Sequence, residues 1–188
     1  MLAADQFVKQ LTIENLPLGE SVPVWGEFLQ LHYVLNPGAA FSLGSEVTWI
    51  FTIALALVAG AIIWKAFGLI SRLWAIVLGL LLGGVLGNLT DRLFREPGFP
   101  VGHVVDMISM PWMLPAIFNV ADIFIVTGMI SVALLVVTGV GFDGVREKDR
   151  EADDADAEAE ADAAGDADDA TVADGGADAA SPAASEDR

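Results

Sequence analysis

Three long apolar runs constrain this chain more than anything else in it. Lipid offers no hydrogen-bond partners, so a crossing segment must satisfy its own backbone, and a helical span takes about 20 apolar residues. Residues 47–67 meet that length with 21 residues and a single charge, Lys65, near the end where its stem can reach the headgroups. Trp49 and Trp64 bracket this run, about 22 Å apart at the helical rise, as interfacial belts require. Residues 73–89 form a shorter uninterrupted run, and residues 120–140 a third with no charge after Asp122. The chain therefore reads as a mainly α membrane protein, a transmembrane bundle with three spans.

Charge divides the rest of the chain. The whole carries −17, yet residues 151–188 hold fourteen acidic side chains against one arginine, a net of −13, which leaves −4 for residues 1–150. Acidity is thus a property of the tail. Three parts follow: an extramembrane segment 1–46, a transmembrane core 47–141, and an acidic tail 142–188. Like charges one turn apart oppose helix formation, and the tail has nothing apolar to fold around, so it is expected to be an unstructured extension. Cysteine is absent, which removes disulfides and thiolate chemistry, and His32 and His103 lack the spacing of a zinc helix.

Lys65 and Arg72 crowd the short connection between the first two runs, and Arg146, Lys148 and Arg150 follow the third. Positive residues gather on the cytoplasmic side, which places the tail there and turns residues 1–46 and 90–118 outward. Three spans with a cytoplasmic tail leave the first 46 residues outside, with no span to carry them across, so a segment is expected before Met1. In that outward part Leu29, Leu31 and Tyr33 alternate with Gln30 and His32, a strand pattern that puts His32 on the solvent side, and Asn36-Pro37-Gly38 marks a turn. A small extracytoplasmic sheet on the membrane is the expected result.

The second run carries Gly79, Gly83 and Gly87 at four-residue spacing, a pattern that lets helices approach closely in lipid. Gly84, Gly87, Asn88 and Asp91 share one stripe, so the seam delivers two polar groups into the protein. Asp122 falls in the first turn of the third span, where Asn119 is a natural N-cap, and Asp106 falls in the preceding loop. Singly, either acid could be an ordinary cap or loop residue. Together, at one membrane face, two carboxylates suggest a shared proton and aspartyl-type hydrolysis: one activates water while the other protonates the carbonyl oxygen. Two other chemistries fit the residues less well. A serine–lysine pair drawn from Ser42, Ser45 or Ser109 with Lys9 has no spacing to support it, and an ion-coupled carrier should place its charges at mid-span, where all three runs have none. An inactive membrane scaffold is the third alternative.

Five blocks in order resemble the bacterial lipoprotein signal peptidase (signal peptidase II) family: Asp5-Gln6-Phe7-Val8-Lys9, Asn36-Pro37-Gly38-Ala39-Ala40-Phe41, Gly87-Asn88-Leu89-Thr90-Asp91-Arg92, Val104-Val105-Asp106 and Phe118-Asn119-Val120-Ala121-Asp122. The resemblance covers about residues 5–140. It implies four transmembrane helices with an extracytoplasmic β-cradle, the first helix being absent here except for Met1–Ala4. It also implies an aspartic endopeptidase of the bacterial inner membrane that cleaves prolipoproteins before a diacylglyceryl-modified cysteine, and inhibition by globomycin. Asp106 and Asp122 would be the catalytic dyad. Asn36, Gly38, Asn88, Asp91, Arg92 and Asn119 would order the pocket, with Asp5 and Lys9 at its periphery. The partners expected are lipidated precursors and membrane lipids, with no nucleic acid, no cofactor or metal, and a monomeric chain.

Overall fold

The computed structural model describes residues 1–38 and 47–158. Ser42, Ser45, the Ala39–Phe41 part of the second block and the tail beyond residue 158 lie outside the described residues. The chain divides into two compact units, Met1–Gly144 and Val145–Arg188.

The first unit runs α1 (Leu2–Asn15), β1 (Ser21–Trp25), β2 (Leu29–Asn36), α2 (Thr48–Ala66), α3 (Arg72–Phe94), β3 (Val104–Met110), β4 (Leu114–Phe118) and α4 (Val120–Val137). The helices α2, α3 and α4 are long and apolar enough to cross a membrane. They match the three expected spans, with two changes of length: α4 ends at Val137, three residues short of the expected 140, and α3 runs on to Phe94. α3 continues five residues past Leu89, through Asp91 and Arg92, because both polar side chains are buried and bonded. It is the central helix: 39% of its apolar window is buried, against 17% in α2 and in α4. Ser71 caps its start by accepting from the Trp74 N–H.

The glycine seam is real but shifted along the helix. A side-chain carbon at Gly84 would stand 2.5 Å from the Ala121 carbonyl, and one at Gly87 would stand 2.6 Å from Asp5 Oδ2 and 3.0 Å from Ala121. Gly128 answers from α4, with Leu81 at 2.9 Å. Gly79 meets nothing within 4 Å, so it lies outside the seam. Near the other end, Ile62, Trp74, Val77, Leu78 and Leu135 make an apolar cluster.

The expected sheet exists, is antiparallel and has four strands in the order β1-β2-β3-β4. The pairing of Val34 with Asp106 and of Ile108 with Phe118 fixes its register. Asp106 is therefore a strand residue and not a loop residue. Its strand escapes a periodicity reading because both faces are covered: Val104 through Met107 are all buried, so no polar alternation marks it. On β2, Tyr33 is buried as expected and His32 is half-buried. Tyr33, Val105 and Met107 form a second apolar cluster under Val8, Ile13 and Leu16. Residues 2–15, for which the sequence predicts no element of their own, precede the expected strand. They form a helix whose buried residues are Asp5, Lys9 and Thr12.

In the second unit, residues 147–158 are helical, which differs from the unstructured tail expected. Arg150 stands one turn from both Glu147 and Asp154, and alanines fill the positions between the acids. Opposite charges at that spacing and high alanine propensity favour the helix.

Candidate active site

The β3–β4 hairpin ends at Phe118, and the next residue, Asn119, starts α4. That short connection brings Asp106 on the strand beside Asp122 on the helix. Asn119 has an extended backbone and forms a capping box: its side chain accepts from the Asp122 N–H at 3.0 Å, and its own N–H donates to Asp122 Oδ2 at 3.1 Å. Such a box satisfies two donors that a helix end leaves orphaned. Both residues suggested as caps by the sequence therefore do cap the helix, and their free sides still face the site.

Three carboxamides hold the two carboxylates. Asn119 Nδ2 donates to Asp106 Oδ1 at 2.6 Å, and Asn36 Nδ2 donates to Asp106 Oδ2 at 2.9 Å. Asn88 Nδ2 donates to Asp122 Oδ1 at 2.8 Å. Asn119 thus touches both acids, one with its backbone and one with its side chain. Each amide is in turn fixed through its oxygen. The Gly38 N–H donates to Asn36 Oδ1 at 3.0 Å, the Asp122 N–H to Asn119 Oδ1, and Lys9 Nζ to Asn88 Oδ1 at 3.0 Å.

Asp106 is 2% exposed. Its carboxyl group is pushed up to about 7, first by burial and then by the neighbouring charge of Asp122. Hydrogen bonds from Asn36 and Asn119 and the Lys9 charge oppose that rise without cancelling it. Asp106 therefore keeps its proton to higher pH than an ordinary carboxyl group.

Asp5 and Lys9, expected at the pocket's periphery, lie behind Asn88 and the start of α4. Both are wholly buried, because the inner face of α1 is polar and lies on the Asp91 end of α3. Lys9 Nζ stands 2.9 Å from Asp5 Oδ2 and 2.8 Å from Asp91 Oδ2. Asp91 also accepts from Arg95 Nε at 2.6 Å and from the Val105 N–H at 3.2 Å, and Asp5 accepts from the Ala121 N–H at 2.8 Å. Two cations and two anions cancel, as a buried cluster must. With Asn88 included, Lys9 has three acceptors for its three N–H bonds. No serine is among them, which removes the serine–lysine alternative's base.

Arg92 turns the other way. Its guanidinium donates to the carbonyls of Pro37 (3.2 Å), Gly38 and Gly102 (3.4 Å). Thr48 of α2 donates to the same Pro37 carbonyl at 2.6 Å. Arg92 and Gly38 thus order backbone beside Asn36 and do not bond either catalytic candidate. Sequence reasoning missed Gln6, which bridges Asp5 (3.2 Å) and Asp91 (3.0 Å), and Arg95. Their signal was the four-residue spacing of Asp91 and Arg95 across the helix end. A cavity of about 210 Å³ opens beside Asp106 and Asn36, walled by Val34, Leu35, Pro115, Ala116 and Ile117.

Residues 1–138 match the family model for signal peptidase (SPase) II. A lipoprotein signal peptidase of Leifsonia xyli subsp. xyli is 56% identical over 145 residues, covering 77% of this chain and 67% of that protein. One from Mycobacterium avium (strain 104) is 43% identical, covering 77% of this chain and 79% of the relative. Among solved structures, a bacterial membrane enzyme determined by the in meso method at 2.3 Å is similar with a TM-score of 0.64 and 26% identity, over 72% of this chain and 82% of that one.

Proposed function

The chain belongs to the signal peptidase II family, and we propose that it does its work as a membrane-embedded aspartyl endopeptidase with Asp106 and Asp122 as the catalytic dyad. Its reaction is removal of the signal peptide from lipoprotein precursors. The bond cut is the one before the diacylglyceryl-modified cysteine. The observation that carries the aspartyl reading is Asn119, which donates to Asp106 from its side chain and to Asp122 from its backbone. One residue thereby fixes the two carboxyl groups against each other.

The chemistry follows from their unequal settings. Asp122 sits in the first turn of α4, where the helix dipole favours an anion, and it accepts at both oxygens. It serves as the base. Asp106, raised to about 7, serves as the acid. Water loses a proton to Asp122 as its oxygen attacks the scissile carbonyl carbon, and Asp106 passes its proton to the carbonyl oxygen. When the tetrahedral carbon expels the amine, Asp122 returns a proton to the leaving nitrogen and Asp106 recovers one from the hydroxyl. Protons and bonds balance, and the dyad ends as it began. The apolar walls of the cavity beside Asp106 suit aliphatic side chains flanking the bond.

The positive residues at 65–72 and 146–150 support an orientation with the dyad at the outer face of the bacterial inner membrane and a cytoplasmic tail. Cleavage of a purified diacylglyceryl-modified precursor is the test. Asp106→Asn and Asp122→Asn should each lower kcat by about 10²–10⁴-fold while the protein stays folded, the range removed with a positioned acid or base. Wild-type turnover in either variant would refute the dyad.

A further inference from the structure

We propose that Lys9 is a positioning residue of this site: its ammonium locks the Asn88 carboxamide in the one orientation that presents NH2 to Asp122. The proposal rests on the aspartyl reading above and extends it to the residue that orients the base.

A carboxamide has nearly the same shape when turned by 180°, so only its hydrogen-bond partners choose between donor and acceptor ends. Asn36 and Asn119 are chosen by backbone N–H groups, those of Gly38 and Asp122. Side-chain substitution leaves those locks in place. Asn88 differs. Its oxygen faces two side-chain donors, Lys9 Nζ at 3.0 Å and Asn119 Nδ2 at 3.1 Å. Asn119 Nδ2 is a neutral donor and Lys9 Nζ a charged one, and a charge-assisted bond is about twice as strong, so Lys9 is the principal lock. With Lys9 in place, a turned Asn88 would set its NH2 against an ammonium and its oxygen against the Asp122 carboxylate. Both contacts are repulsive, and Lys9 and Asn88 are buried.

Lys9 itself cannot swing. Asp5 and Asp91 grip it at 2.9 and 2.8 Å, and Gln6 ties those two carboxylates together. The charges facing Asp122 are Lys9 and Asp5 from α1 and Asp106 from β3, while Asp91 of α3 is engaged by Lys9 and Arg95. A single rigid path therefore runs from the α1 cation through Asn88 to the base. Lys9 touches no reacting atom.

The experiment compares Lys9→Gln with Lys9→Met, both in an Asp5→Asn background that removes one anion with the cation. Glutamine keeps an N–H donor within the reach of Asn88 Oδ1, whereas methionine fills similar space with none. The substrate is a synthetic diacylglyceryl-modified precursor peptide in detergent micelles, with melting temperature measured alongside. The Gln variant should exceed the Met variant by at least about tenfold in kcat at equal KM, the scale of one lost hydrogen bond to a charged group. Equal kcat in two folded variants overturns the proposal, and so does a difference confined to KM. If the Met variant does not fold, the Gln variant alone decides: kcat within about tenfold of the Asp5→Asn parent sustains the lock, and a folded protein slowed more than that refutes it. Asp106→Asn in the same assay separates the two readings, since residual full activity there would sink the dyad whatever Lys9 does.

Discussion

At its Ser71 end α3 packs Trp74, Val77 and Leu78 against Ile62 and Leu135, whereas at its Asp91 end the same helix buries Asn88, Asp91 and Arg92 among α1, β3 and the Pro37–Gly38 backbone. The first end gains from close packing alone, which tolerates rearrangement. The second is held by directed bonds: Asp91 is paired with Lys9 and Arg95, and Arg92 donates to three backbone carbonyls. In lipid the difference matters more, since water cannot rescue a polar group left over. One end of the helix holds the bundle together, and the other holds a geometry.

The sharpest break of that contrast is Asp91→Leu. It strips a partner from Lys9, from Arg95 and from the Val105 N–H at once. Removing one member of a buried charge cluster costs about 3–5 kcal/mol, so thermal unfolding in detergent should move sharply and activity should vanish with it. Trp74→Ala attacks the apolar end. Trp74 is 3% exposed, donates Nε1–H to the Val140 carbonyl at 3.0 Å and packs on Phe142. The loss should be about 3 kcal/mol, with kcat per folded molecule unchanged. If Trp74→Ala lowers kcat as much as it lowers stability, the two ends are not independent.

A smaller effect separates seam from surface within the glycines. Gly84→Ala would press a methyl 2.5 Å from the Ala121 carbonyl and 2.8 Å from Ile125, next to the turn that carries Asp122. Backbone cannot yield there cheaply, so overpacking should cost about 1–3 kcal/mol and displace the dyad. Gly79→Ala meets open space, and the better helix propensity of alanine should leave it neutral or slightly stabilising. Equal melting temperatures for the two variants would remove the seam assignment.

The same contrast explains what the sequence made legible. Apolar length is a nearly sufficient signal for a lipid-crossing helix, so all three spans were readable, and the stripe of Gly84, Gly87, Asn88 and Asp91 pointed inward as read. The signal failed wherever burial and polarity coincide. α1 inverts the usual amphipathic rule: its covered face is Asp5, Lys9 and Thr12, and Phe7 is exposed. A search for an apolar stripe cannot find such a helix. β3 fails differently, because Asp106 and Ser109 interrupt a strand whose Val104–Met107 stretch is covered on both faces. Hydropathy likewise ended the second span at Leu89, where the helix goes on carrying paired charges to Phe94. The eight candidate pocket residues were found by motif, yet their division of labour was not. Distances alone separate Asn36, Asn88 and Asn119, which hold the acids, from Arg92, which holds backbone.

The mildest perturbation is pH, and it should reach only the polar end. Asp106 is pushed up to about 7 by its burial and by the charge of Asp122. An acid whose proton is needed for the reaction is competent below that value and loses competence as pH rises through it. Above about 7, kcat should therefore fall by about tenfold per pH unit, with KM and the helical content little changed. Trp74→Ala should leave this limb where it is, because the apolar cluster holds no titrating group. Asn36→Ala should move it upward, since Asn36 donates to Asp106 and its loss withdraws one of the influences that lower the carboxyl group's value. A limb that stays in place in Asn36→Ala, in a protein that still folds and turns over, would mean that some group other than Asp106 carries the proton.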